Sequence, residues 1–165
     1  MTDAEIVNPL FENIRSLFEN KIFLSTFFSF LIAQFIKMIF YLINGKARKK
    51  FNNALEIMLW RTGGMPSSHS SVVCALVTAT GIKEGIDSTY FVVALIFAMV
   101  VLRDAVGVRR AAGIQAKTLN NLGKQVSKIS GQEYRFVKEV QGHTPLEVLA
   151  GSCLGILITV VFFLL

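Results

Sequence analysis

The chain holds only two histidines, His69 and His143, and each stands at the start of an apolar run. His69 closes the stretch Arg61-Thr-Gly-Gly-Met-Pro-Ser-Ser-His69. That stretch reads as an anion cradle. Gly63 and Gly64 permit close backbone approach, Pro66 starts a helix, and the amides of Ser67 and Ser68 point out of its N-terminus, where free N–H groups and the helix dipole favour phosphate. His143 and Glu147 are four residues apart, so they share a face of one helical turn. A carboxylate in that position can hold an imidazole in the tautomer needed for nucleophilic attack. His69 can then protonate the leaving oxygen as a general acid. Lys37, Arg61 and Arg109 are the candidate cations for the phosphate oxygens. Two imidazoles flanking such a cradle form a phosphoryl-transfer layout that needs no metal, and no cofactor is expected.

Some of these residues also have plain structural readings. Glu147 lies three residues after Thr144, the capping-box position, and a cap does not exclude an orienting role. Lys37 could simply snorkel to the head groups. Asp104 could pair with charges on other helices, position Arg109 or Arg61, or join Glu139 and Glu147 around a metal. Gly151 and Gly155 form a Gly-x-x-x-Gly pattern that fits either a homodimer face or close packing inside a bundle, the second reading being favoured. Cys74 and Cys153 lie inside apolar runs and read as packing residues.

The elements that must carry these groups are membrane helices. Hydrophobic residues make up 53% of 165 residues and charged residues 17%. With the 12 glycines the apolar share is roughly 60%, above that of soluble domains. This composition argues against soluble globular, disordered and fibrous classes. The expected architecture is all-α: a single membrane domain with about four transmembrane helices, at 22–44, 66–83, 88–112 and 144–165, plus amphipathic surface helices. Residues 1–21 form an N-terminal interfacial segment and 46–60 an amphipathic surface helix. Residues 113–142 form a polar cytoplasmic segment with a helix expected over about 114–129. Residues 1–14 carry three acids and no Lys or Arg, which does not resemble a secretory signal.

Four spans place the 46–61 loop and the 103–142 segment on one side, together with most of the 17 Lys and Arg residues. The positive-inside rule makes that side cytoplasmic. The net charge of +6 fits anionic head groups, and no basic-aromatic motif supports nucleic-acid binding. Both histidines fall on this side. Polar groups gathered near membrane depth mark a functional site by default.

Met65-Pro-Ser-Ser-His69 resembles the second signature, Pro-Ser-Gly-His, of the type 2 phosphatidic acid phosphatase superfamily, which also includes vanadium-dependent haloperoxidases. Ser68 stands at its Gly position. Gly142-His143-Thr-Pro-Leu-Glu147 resembles the third signature, with Glu in place of Asp. Taken with Asp104-Ala-Val-Gly-Val-Arg109, the three motifs are similar to a divergent branch of that superfamily over about residues 23–165. The first signature, Lys-x6-Arg-Pro, is absent as such, and Val137 stands where the third usually has Arg. The resemblance implies a membrane-embedded phosphatase that hydrolyses a lipid-linked phosphate or diphosphate through a phosphohistidine. It assigns His143 as nucleophile and His69 as general acid, with a lipid phosphate as substrate and membrane lipids as surroundings. The rival reading, motivated by the missing first signature, is a non-catalytic membrane protein that keeps a head-group site. A metal-dependent transferase using Asp104 is weaker, and a haloperoxidase weaker still.

Overall fold

The computed structural model describes residues 3–43, 64–137, 139 and 142–165. Among these residues the secondary structure is helical: α1 (Asp3–Glu19), α2 (Lys21–Ile43), α3 (Ser68–Glu84), α4 (Thr89–Val106), α5 (Val108–Ser130) and α6 (Pro145–Leu164). The surface helix expected over 46–60, and Arg61, lie outside the described residues.

Local sequence explains the boundaries. Ser67 caps α3 and Ser88 caps α4, the latter accepting a bond from Phe91 N at 3.1 Å. Thr144 and Glu147 form a complete capping box on α6, with Pro145 in its first turn. Gly85 ends α3 at φ 89°, and Gly131 ends α5 at φ 68°, backbone that favours glycine. The third expected span, 88–112, is divided at Gly107, whose φ −98° and ψ −89° leave the helical region. The helix expected in the polar segment therefore starts at Val108, about two turns before the apolar pattern beginning at Ile114 indicates. The N-terminal helix likewise starts earlier than its pattern, at Asp3.

Chain ends and side-chain contacts fix the topology. At one end, Lys83 Nζ donates to Asn20 Oδ1 at 3.4 Å, and Lys21 lies 5.8 Å over the Phe163 ring. At the other, Ser67 N donates to Glu147 O at 3.0 Å and His143 N to Ala105 O at 3.3 Å. So α3 and α6 run parallel, with α2 and α4 antiparallel to them. Three described helices are long and apolar enough to cross a membrane: α2 over Lys21–Phe40, α4, whose apolar run leads without a long break into α5, and α6. The remaining expected span, 66–83, is α3, the most embedded. It packs against α2, α4 and α6 and runs from one end of the bundle to the other. Its 17 residues give about 26 Å, and its serines and threonines lower its hydropathy.

The interior is built from small side chains. Ser25, Ser29, Ala33 and Lys37 of α2 are buried at four-residue spacing. So are Ser71, Ala75 and Ala79 of α3, Ala94 and Ala98 of α4, and Gly151, Gly155 and Thr159 of α6. Phe27, Phe35, Phe97, Leu149 and Leu157 face outward. In water this distribution would be inverted. In lipid, backbones gain by approaching closely, and hydrogen bonds add to the packing. Ser29 Oγ and Ser71 Oγ are 2.6 Å apart, and Thr159 Oγ1 donates to Ala75 O at 3.4 Å. A Cβ on Gly151 would fall on the carbonyl oxygen of Ser67, and one on Gly155 on that of Ser71. The two glycines are therefore used within the chain. The homodimer face considered for them is not available, because α3 already occupies it.

Candidate active site at one end of the bundle

The site is assembled where α3 and α6 begin and α4 ends. Pro145 and the Thr144–Glu147 capping box fix the first turn of α6. Glu147 Oε2 accepts the Thr144 amide at 3.0 Å and lies 3.1 Å from His143 Nδ1. One carboxylate oxygen thus caps the helix and holds the imidazole. An Nδ1–H donated to Glu147 leaves the Nε2 lone pair for chemistry. The His143 amide bond to Ala105 O ties this turn to the end of α4.

His143 is 5% exposed, whereas His69, two residues past the α3 cap, is exposed. The charges of His143, Lys37, Arg109 and Asp104 all act on His69. Lys37 and Arg109 also act on His143, and Glu147 acts on Lys37. These six side chains come from five helices and one turn and form a single electrostatic cluster. Burial pushes the His143 pKa below the ordinary imidazole value. The hydrogen bond and negative charge of Glu147 oppose that shift, and Lys37 and Arg109 reinforce it.

Lys37 turns inward. Its side chain is buried, and its Cγ and Cδ would lie 3.8 and 3.9 Å from a Cβ at Gly64. The Gly64 backbone, at φ +92°, lies against the lysine stem. Among the described residues Lys37 forms no ion pair. Asp104 holds Arg109, with Oδ2 2.7 Å from Nε. Of the roles considered for Asp104, this contact is the one formed among the described residues, Arg61 lying outside them. Among the described residues no three His, Cys, Asp or Glu side chains converge as a metal set. Glu139 bonds Asn120 instead, at 2.9 Å.

The cradle differs from the sequence expectation at Ser67. Its hydroxyl accepts from Ser70 N at 3.4 Å and Ser70 Oγ at 2.9 Å, and its amide donates to Glu147 O. The residue is fully buried. Ser67 therefore builds the helix start and offers no free group to an anion. The reason is general: an N-cap uses its own side chain to satisfy the first turn. The amides of Ser68 and His69 remain without an acceptor among the described residues. The Ser68 side chain is buried beside them.

Sequence reasoning also missed Asn120. It is 4% exposed, midway along α5. Its Nδ2 donates to Val137 O and Glu139 Oε1, both at 2.9 Å, and its Oδ1 accepts from Val137 N at 2.9 Å and Tyr134 Oη at 3.2 Å. One amide thus fastens the non-helical segment 131–137 to α5. Gly123 makes room for the Tyr134 ring, and Gly142 lies directly on the backbone of Arg110. The only trace in the sequence is an Asn one turn from a Gly in a helix, which is too weak a signal to single out.

A family model described as the Divergent PAP2 family matches residues 18–158. A curated relative from Bacillus subtilis (strain 168), "Uncharacterized membrane protein YuiD", is 44% identical over 111 residues. The match covers 61% of this chain and 70% of the relative. No solved structure gives a significant match.

Proposed function

The chain belongs to the Divergent PAP2 family, and from that premise we propose that it is a membrane-embedded phosphatase acting on a lipid-linked phosphate or diphosphate. The observation that carries this reading is the buried His143 held through Nδ1 by Glu147, in one cluster with His69, Lys37 and Arg109. In the proposed reaction, His143 Nε2 attacks phosphorus. The bond from phosphorus to the leaving oxygen breaks, and His69 gives that oxygen a proton. Lys37, Arg109 and the Ser68 amide hold the equatorial oxygens. Water then attacks the phosphohistidine, His69 takes its proton, and the P–N bond breaks to return neutral His143 and release phosphate. Arg103 in the last turn of α4, and Arg109, Arg110, Lys117, Lys124, Lys128 and Arg135 after it, lie toward the site's side of the bundle. This asymmetry supports a site on the cytoplasmic face.

The test is phosphate release by the purified chain from phosphatidate, phosphatidylglycerophosphate and polyprenyl diphosphate in mixed micelles. Release from at least one of them, blocked by vanadate and unaffected by EDTA, is the expected result. Vanadate can adopt the five-coordinate geometry of phosphorus under attack, so the cradle should bind it more tightly than phosphate. Turnover indifferent to millimolar-range vanadate would count against a histidine nucleophile. The occupied Ser67 amide favours a second reading, a non-catalytic head-group site. Saturable binding of these lipids without phosphate release would establish it.

Glu147→Gln separates the carboxylate's two contributions. A neutral amide still caps α6 but no longer stabilises imidazolium, so the rate should fall by about 10²–10⁴-fold. The His143 pKa is already depressed, so the neutral nucleophile persists below the ordinary imidazole value and is lost only as pH falls through the lower, folded value. Removing the raising influence of Glu147 lowers that value further. The acid limb of kcat/KM should therefore move to lower pH in Glu147→Gln. Substrate ionisation is common to both proteins, so the difference between the two profiles reports His143 itself. A limb that moved toward neutral pH would contradict this assignment.

A further inference from the structure

Helix α5 has three faces. At about 100° per residue, Leu119, Leu122, Val126 and Ile129 fall within an arc of about 80°. All four are exposed, Ile129 by 88%. Ala116, Asn120, Gly123 and Ser127 occupy the next sector and carry the segment 131–137, through Asn120 and the Tyr134 ring over Gly123. Lys117, Lys124 and Lys128 lie roughly opposite the apolar arc. Among the described residues nothing covers that arc.

We propose that α5 docks along an anionic bilayer surface, its four apolar side chains sunk among the head groups. Charge identifies the occupant. Residues 108–130 hold Arg109, Arg110, Lys117, Lys124 and Lys128 and no carboxylate. Two such helices would repel, and the positions flanking the arc, among them Thr118 and Gln125, offer no acid to bridge a second copy. Arg109 is held by Asp104, but the helix keeps a net positive charge with no acid of its own, and an anionic lipid surface attracts such a helix. Continuity adds to the argument. The helix follows the spanning helix α4 after a single non-helical residue, Gly107, so its first turn starts at the membrane face. An apolar arc backed by lysines is the pattern of helices that lie in the interface. Docking also holds the segment 131–137 at head-group level, because Asn120 fastens Val137 to α5, six residues before His143 in the sequence.

The test uses the full chain, with Cys74→Ala and Cys153→Ser, carrying one nitroxide at a time. Labels at Leu122→Cys and Ile129→Cys report the arc, and labels at Lys117→Cys and Lys124→Cys the opposite face. The protein is placed in phosphatidylcholine vesicles with or without phosphatidylglycerol. In anionic vesicles the arc labels should be accessible to oxygen and shielded from a water-soluble nickel chelate, and the lysine-face labels the reverse. Omitting phosphatidylglycerol, or adding salt to screen the surface, should raise chelate access at the arc severalfold. Equal chelate access at all four positions would overturn the proposal, as would an arc insensitive to lipid charge. Spin–spin broadening confined to the arc would overturn it in favour of a second copy. None of these readouts depends on phosphatase activity.

Discussion

His143→Ala should reduce phosphate release by on the order of 10³–10⁶-fold while leaving the bundle folded. The depth follows from removing the atom that forms the bond to phosphorus. The fold persists because the backbone contacts of this turn do not need the imidazole. The His143 amide still reaches Ala105 O, and Glu147 Oε2 still caps the Thr144 amide. His69→Ala should be milder, about 10²–10⁴-fold, because it removes only a proton donor. The two losses should also respond differently to the leaving group. An aryl phosphate, whose phenolate leaves without a proton, should recover much of the rate in His69→Ala and none in His143→Ala. Assays of both variants on alkyl and aryl esters, with thermal unfolding as the folding control, distinguish the roles. Wild-type-like turnover by His143→Ala would end the mechanism, and an identical leaving-group response in both variants would exchange or merge the assigned roles.

Much of this site was legible because its chemistry is local. Glu147 follows Thr144 by three residues and His143 by four, and helical geometry makes both contacts available to one carboxylate oxygen. The inward turn of Lys37 was not legible. Periodicity gives its face of α2, but snorkelling and burial use the same face, and only the approach of the Gly64 backbone decides between them. Ser67 was misjudged for a related reason. A serine before a helix can bind an anion or cap the helix, and here its amide and hydroxyl both have partners within the protein. Asn120 was invisible because its bonds reach 14 to 19 residues along the chain, into a segment with no periodic pattern.

The fold was legible at the level of class, and least so in its centre. Long apolar runs identify α2 and α6 directly, because lipid-facing Phe and Leu dominate them. The innermost helix, α3, has the opposite signature. It has no broad lipid-facing surface, so Ser, Ala and Thr replace large side chains and its hydropathy falls as its burial rises. Hydropathy thus measures contact with lipid, and underrates the helix that organises the site. The Gly107 break follows the same logic. A single glycine between the apolar α4 and the polar α5 alters little in a composition window, yet separates the two helices.

The small-residue core makes a prediction whose sign is opposite to that for a water-soluble protein. On an exposed helix in water, Gly→Ala gains about 1 kcal/mol, whereas Leu→Ala at a buried core position costs about 2–5 kcal/mol. Here Gly155→Ala should destabilise by at least about 2–3 kcal/mol, and Gly155→Val should prevent a monodisperse folded protein from forming. The added Cβ meets the Ser71 backbone, with the carbonyl carbon at 2.9 Å and Cα at 3.0 Å. A backbone cannot rotate aside as a side chain can, so α3 and α6 must separate. That separation strains the Thr159–Ala75 and Ser67–Glu147 bonds along the same seam. Leu157→Ala, on the lipid face at 62% exposure, should cost under about 1 kcal/mol, because the lost side chain exchanged contacts with lipid rather than with protein. Unfolding midpoints in detergent micelles measure both. Activity supplies the second readout. The seam sets the register between the helix bearing His69 and the turn bearing His143, so Gly155→Ala should lose stability and phosphate release together, unlike His143→Ala, which loses only the second. A stabilised Gly155→Ala with a destabilised Leu157→Ala would mean that this packing is inside out.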